Sequence, residues 1–335
     1  MRKLCIGLFV IFLAIFLAII LGSVIFERIY PFPSKIVYGV TFSPRYVTYL
    51  KLDWHKVYTN MLDDLKVRNL RIPSYWDILQ KEPSRIDYSE TDYMLDEAEK
   101  RGAKVILVLG VKQPRWPECH IPVWAKNLSV TERQERVLEF IQEVVRRYKD
   151  RPEIWAWQVE NEPFLPFFGE GCDKGDVSFL KKEVDLVRSI SKKTIIITDS
   201  GELELWIAPM QVSDIFGTTL YRKTYDPILG YKTYPILPYL YNIKSVLVRW
   251  VFAPHNQKTI ITELQTEPWL SQADSSEGSP KKQAEIFSIE NFKDNIEFAK
   301  KTGFDEMYLW GVEWWYFMAQ NGYPGYLDYA KTLFQ

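Results

Sequence analysis

Lys104-Val105-Ile106-Leu107-Val108-Leu109-Gly110 is followed by Ser129 to Tyr148, SVTERQERVLEFIQEVVRRY, and then by Ile154-Trp155-Ala156-Trp157-Gln158-Val159. The first and third stretches have strand length and run apolar without alternation, the pattern of strands buried on both faces. Between them, Ser129 and Glu132 form a capping box, and Val137, Leu138, Ile141, Val144, Val145 and Tyr148 make one helical stripe. Strand, helix, strand is a parallel unit, and the rhythm repeats on both sides of it. Further apolar runs lie at Ile36 to Thr41, Val67 to Ile72, Thr194 to Thr198, Asp214 to Leu220, Lys258 to Thr262 and Met307 to Trp310, making eight strands. Helical patterns start near Asp53, Ser89, Val177, Leu237 and Pro280, with Gly102 and Gly303 placed as stops for two of them. Eight strands alternating with helices predict an α/β fold, a (β/α)8 TIM barrel. The rival open sheet wants a glycine-rich turn after its first strand, where this chain has Phe42-Ser43-Pro44-Arg45.

The chain has 335 residues, 47% of them hydrophobic, with 42 basic against 43 acidic side chains and no block of like charge. That balance excludes a disordered chain and gives no electrostatic footprint for a nucleic acid. Twelve Trp, 20 Tyr and 19 Phe exceed what one core needs, which points to surfaces that stack flat ligands such as sugars. Residues 4–26 carry no charge and would span roughly 34 Å as a helix, enough to cross a bilayer. Arg2 and Lys3 before this run place the N-terminus on the cytoplasmic side and the body outside. A cleaved signal peptide is the alternative, but the run has no small-x-small site, so an uncleaved anchor is favoured. Residues 1–34 are therefore read as stub, transmembrane anchor and the proline-stiffened linker Tyr30 to Ser34, and 35–335 as one barrel domain.

In such a barrel the chemistry sits at the C-terminal ends of the strands. The strand 154–159 runs into Glu160-Asn161-Glu162-Pro163, and the strand 258–262 into Glu263. With these motifs, residues 36–320 resemble the retaining glycoside hydrolases of clan A, whose Asn-Glu-Pro supplies the acid/base and whose seventh-strand Glu is the nucleophile. The resemblance implies Glu162 as acid/base, Glu263 as nucleophile and Asn161 as the partner of the sugar 2-hydroxyl. It implies Arg71 and Tyr221 as donors that keep Glu263 ionised, and Trp310 as the floor of the sugar site, with Trp314 and Trp315 competing for that role. Trp76, Trp116 and Trp269 follow strands two, three and seven and are candidates for stacking at the rim. Glu160 and Glu267 are the competing carboxylates; Glu160 could pair with a cation beneath the site, and Glu267 falls in a loop where position is less well held. The chain departs from family-five cellulases and mannanases, which usually carry His after strand three and His-x-Tyr at strand six, here Gly110-Val111-Lys112-Gln113 and Thr219-Leu220-Tyr221. The stretches from Trp76 to Pro83 and Pro114 to Trp116 look more like the β-galactosidase side of the clan.

Cys119 and Cys172 fall in the loops after strands three and four, so a disulfide between them is expected, with two free thiols the alternative. His55, His120 and His255 lack metal-ligand spacing, and no metal or cofactor is implied. The Tyr- and Pro-rich segment 221–241 reads as an ordered loop over the site. The expected activity is retaining hydrolysis of β-glycosidic bonds in an extracellular or envelope carbohydrate. A noncatalytic carbohydrate-binding protein and a transglycosidase on the same barrel are the alternatives.

Overall fold

A computed structural model describes residues 32–166, 168–271 and 278–335. The apolar segment 4–26 and its expected passage through a bilayer lie outside the described residues. Among those described, no helix is long and apolar enough to cross a membrane.

Eight parallel strands close into a barrel: β1 (Val37–Thr41), β2 (Asn69–Pro73), β3 (Lys104–Leu109), β4 (Ile154–Val159), β5 (Thr194–Asp199), β6 (Ile215–Leu220), β9 (Lys258–Gln265) and β10 (Glu306–Trp310). An antiparallel hairpin, β7 (Lys223–Asp226) with β8 (Gly230–Thr233), is inserted between β6 and β9. The segment 221–241 is thus a hairpin leading into the helix Pro238–Phe252 rather than an irregular loop. The hairpin is tied to the barrel by Gln265, whose Oε1 accepts from the Arg222 and Lys223 amides while its Nε2 donates to the Lys223 carbonyl.

The apolar runs are continuous because each strand has two dry faces. Ile106, Ala156, Ile196, Ile260 and Tyr308 fill the barrel interior, while alternate residues such as Leu107, Trp157, Ile195, Ile197 and Ile261 pack outward against the helices. Gly39 makes room for one member of the inner set, since a Cβ there would lie 2.7 Å from the Tyr308 ring. The helix Val130–Tyr148 carries its capping box and buries Val137, Ile141, Val144, Val145 and Tyr148.

β9 differs from its expected form in a way that matters. It continues to Gln265, and its register shifts against both neighbours around Thr262 and Glu263. Strict alternation from the inward Ile260 would turn Glu263 outward. The shift instead opposes Thr219 with Glu263 and leaves Leu264 in the outer core, so the Glu263 carboxylate turns into the barrel mouth.

Cys119 and Cys172 form a disulfide that links the loops after β3 and β4 across 53 positions of sequence. Loop-closure entropy for that span gives about 4 kcal/mol of stabilisation. Replacing both cysteines by alanine is expected to lower the midpoint of thermal unfolding by about 6 °C in a chain of this size, measured by calorimetry of the oxidised protein and the double variant.

Candidate active site

The site is organised around Arg71, which is fully buried at the middle of β2 rather than at the strand's end, where the sequence puts it. Its Nη1 donates to Glu263 Oε1 at 2.8 Å, its Nη2 to Asn161 Oδ1 at 2.6 Å and its Nε to Gln158 Oε1 at 2.7 Å. Thr41 Oγ1 and the Thr262 carbonyl accept longer bonds from Nη1. One guanidinium therefore holds residues from β1, β4 and β9 in a fixed relation, and its charge is matched by Glu263. The other oxygen of that carboxylate accepts from the Tyr221 hydroxyl at 2.8 Å. Burial and the Glu263 charge push the Tyr221 hydroxyl well above its ordinary pKa, so it stays a donor.

Glu162 has a different setting. Its Oε1 accepts from Thr219 Oγ1 at 3.2 Å, and among the described residues no cation forms an ion pair with its carboxyl. Burial, then the charges of Glu263 and Glu118, raise its pKa well above the usual carboxylate range, which favours the protonated acid. The backbone at Glu160 and Glu162 is left-handed, with φ of 57° and 44°. That conformation costs a side-chain-bearing residue about 1 kcal/mol or more. It is held by Lys112, whose buried Nζ donates to the carbonyls of Glu162 and Leu165, and by Thr198 Oγ1, which accepts from the Glu162 amide.

Several sequence expectations need correction. Trp76 is wholly buried in the core, its ring against Trp124 and Phe140, because the short helix Trp76–Leu79 turns it beneath the loop after β3. Trp314 is also buried, bonded through Nε1 to Gln283 and packed on Phe287 and Tyr326, since the helix Val312–Gln320 directs it away from the mouth. Trp315 is buried and bonded to the Thr266 carbonyl. Trp310 remains at the mouth, 6.4 Å from Tyr221 between ring centroids. Trp116 stands at the rim, 54% exposed, and Trp269 is half-buried with its ring across Tyr221. Glu160 has the Val111 and Lys112 backbone amides as donors and hydrogen-bonds the buried Glu183, where a side-chain cation was expected. Glu267 is firmly held: Arg115 binds both of its oxygens.

Glu118 is the residue that sequence reasoning missed. It is buried beside Asn161, whose Nδ2 donates to Glu118 Oε2 at 3.3 Å, and burial with the Glu263 charge raises its pKa to about 7. Its neighbour Cys119 offered a signal, because a rim disulfide fixes the residue next to it. Among the described residues, no group of three or more His, Cys, Asp or Glu side chains is placed to hold a metal ion.

Comparison with known proteins gives a consistent picture. Residues 56–170, about a third of the chain, match the sequence profile of Glycosyl hydrolase family 10. A probable mannan endo-1,4-beta-mannosidase A-2 from Aspergillus terreus is 28% identical over 115 residues, covering 32% of this chain and 28% of that protein. A mannan endo-1,4-beta-mannosidase A from Podospora anserina is 28% identical over 130 residues, with 33% and 31% covered. The chain thus spans about a third of the length of these curated relatives. Among solved structures, a GH5_18 protein from Bifidobacterium longum superposes with a TM-score of 0.57 at 10% identity, covering 83% of this chain and 70% of that one. Endo-glycoceramidase II from Rhodococcus superposes with 0.55 at 14% identity, covering 82% and 73%. These two likenesses concern the fold. With the closed eight-stranded barrel and the family 10 match, the resemblance of this chain to the clan A glycoside hydrolases holds at the levels of both sequence and fold.

Proposed function

We propose that this protein is a retaining β-glycoside hydrolase, with Glu263 as nucleophile and Glu162 as acid/base. The observation that carries the reading is the contrast between two buried carboxyls at one mouth. Glu263 has Arg71 and Tyr221 on its two oxygens, while Glu162 has a threonine hydroxyl and a raised pKa. Acetal cleavage needs that contrast, because one group must attack as an anion while the other delivers a proton at the same pH.

In the first step a Glu263 oxygen forms a bond to the anomeric carbon as the glycosidic carbon–oxygen bond breaks and the Glu162 proton moves to the departing oxygen. Positive charge developing on the sugar is stabilised by Glu263, and Asn161, oriented by Arg71, stands ready to hydrogen-bond the neighbouring hydroxyl. The glycosyl ester then neutralises Glu263, which removes a negative neighbour from Glu162 and lets its pKa fall. Glu162, now a base, takes a proton from water as that water attacks the anomeric carbon and the ester bond breaks. The anomeric configuration is retained after two inversions.

The body is proposed to lie outside the cytoplasm, anchored through residues 4–26. The Cys119–Cys172 bond supports this reading, since such bonds persist in oxidising compartments.

A panel of aryl β-glycosides and β-linked glycans tests the activity, with proton NMR of the first product expected to show the β-anomer. An α-anomer as first product would mean inversion. Glu263→Ala should abolish turnover, with azide restoring part of it as the α-glycosyl azide; equal loss and rescue at Glu267→Ala in its place would move the nucleophile there. Glu162 must be protonated in the first step, so kcat/KM should fall as pH rises through its raised pKa. Glu118→Gln removes a negative neighbour that helps to raise that pKa, so the alkaline limb should move to lower pH, read from the pH profile.

A further inference from the structure

The loop after β3 crosses the barrel mouth as a strap. Gln113 exchanges hydrogen bonds with the Ser74 backbone, and the Pro114 carbonyl accepts from the Tyr75 hydroxyl, which also bonds Ser43 Oγ. His120 stacks on Tyr75 at 4.0 Å and contacts Arg45 at 3.0 Å. The strap is thereby fastened to the loops after β1 and β2, and the disulfide fastens its far end to the loop after β4.

From the strap Arg115 reaches the opposite wall. Its guanidinium lies between two rings, 3.9 Å from the Tyr46 centroid and 4.1 Å from that of Trp310. In the same plane it bonds Glu267 and, at 2.6 Å, Glu313 Oε2, while Glu313 Oε1 accepts from the Ser43 amide. Arg115 is 6% exposed. A guanidinium held by two carboxylates and two aromatic faces is not a side chain that a sugar displaces easily.

The direction of the substrate follows from the proposed roles of the glutamates, on which this inference rests. The departing oxygen must lie at Glu162, on the β4 side, and the anomeric carbon at Glu263. The sugar being transferred therefore extends from Glu263 away from Glu162, toward the ends of β1, β2 and β10. That is where Tyr46, Arg115 and Trp310 meet. On the leaving-group side, by contrast, Phe168 and Trp269 are half-buried rings 5.2 Å apart, with Trp269 against Tyr221, and offer an apolar shelf.

We propose that the strap ends the glycone side of the site one sugar beyond the scissile bond, with Arg115 as the residue that determines this. The enzyme then removes single sugars from the non-reducing ends of β-linked chains or from aglycones, and does not cut within chains. Each turnover breaks one terminal glycosidic bond: the proton of Glu162 goes to the shortened chain, the hydroxyl of a water goes to the released sugar, and the remaining proton of that water returns to Glu162.

The test uses the oxidised protein and β-1,4-linked hexasaccharides of mannose, glucose, galactose and N-acetylglucosamine carrying a fluorophore at the reducing end, together with the aryl glycosides of the same single sugars. On whichever sugar is turned over, the labelled pentasaccharide should appear first, exceeding shorter labelled products by about tenfold or more, the discrimination a shaped pocket provides. An aryl monosaccharide cleaved when the hexasaccharides are not also supports a one-sugar pocket. Arg115→Ala should raise the share of labelled tetrasaccharide formed directly. Because that change leaves Glu267 and Glu313 without their cation, Tyr46→Ala, which alters no charge, is made alongside and should shift the products the same way. Short labelled fragments as the first products of the unaltered protein would overturn the inference and leave the glycosidase reading standing. No turnover on any member of the panel would overturn the glycosidase reading and this inference with it.

Discussion

The Arg71 guanidinium is the constraint on which the mouth of this barrel depends. It carries a full charge at a position without solvent exposure, which is costly unless every donor is met and an anion is close. All three of its nitrogens are engaged, and their acceptors come from β1, β4 and β9. Three strands that are distant in sequence thus present their ends at one place because a single planar cation would otherwise be left unpaired. Glu263 is the anionic partner that makes this burial tolerable, bonded to Arg71 Nη1 at 2.8 Å.

Arg115 repeats the same device from the loop after β3, with a different consequence. Where Arg71 draws Glu263, Asn161 and Gln158 together, Arg115 draws a loop across them, using Glu267, Glu313 and two aromatic faces as its counterpart. The inner cation fixes the positions of side chains from three strands, and the outer one fixes the loop that lies in front of them. Lys112, bonded to the carbonyls of Glu162 and Leu165, performs a third such task by fixing the left-handed turn that carries Glu162. Each of these cations is buried, and each organises backbone or carboxylate that would be unfavourably placed without it.

Much of this was open to sequence reasoning because barrel strands and amphipathic helices are specified by local pattern. The eight runs, the Ser129 capping box and the placement of Glu162 just beyond a strand follow from periodicity and the residues nearby, whereas the continuation of β9 past Glu263 to Gln265 does not. What resisted was anything set by contacts between distant segments. Trp76 looks from its position like a rim aromatic and Trp314 like a candidate for the floor of the site, yet neighbouring helices cover both, and no local feature separates Trp76 from Trp116, which is exposed. Glu118 sits in the long irregular strap between β3 and the turn Val123–Ala125, where period carries no information about burial.

The sequence by itself determined the alternation of strand and helix, hence the barrel, and it determined which strand ends carry carboxylates, since side-chain pattern and chain order are local properties. Only the tertiary structure decided that a register shift turns Glu263 into the mouth, that Glu118 joins Asn161 beside it, and that Arg115 bridges from the third strand's loop to the first and last strands. Those outcomes depend on pairing charges and closing hydrogen bonds across separations of tens to hundreds of residues, and such energies exist only once the chain has closed on itself.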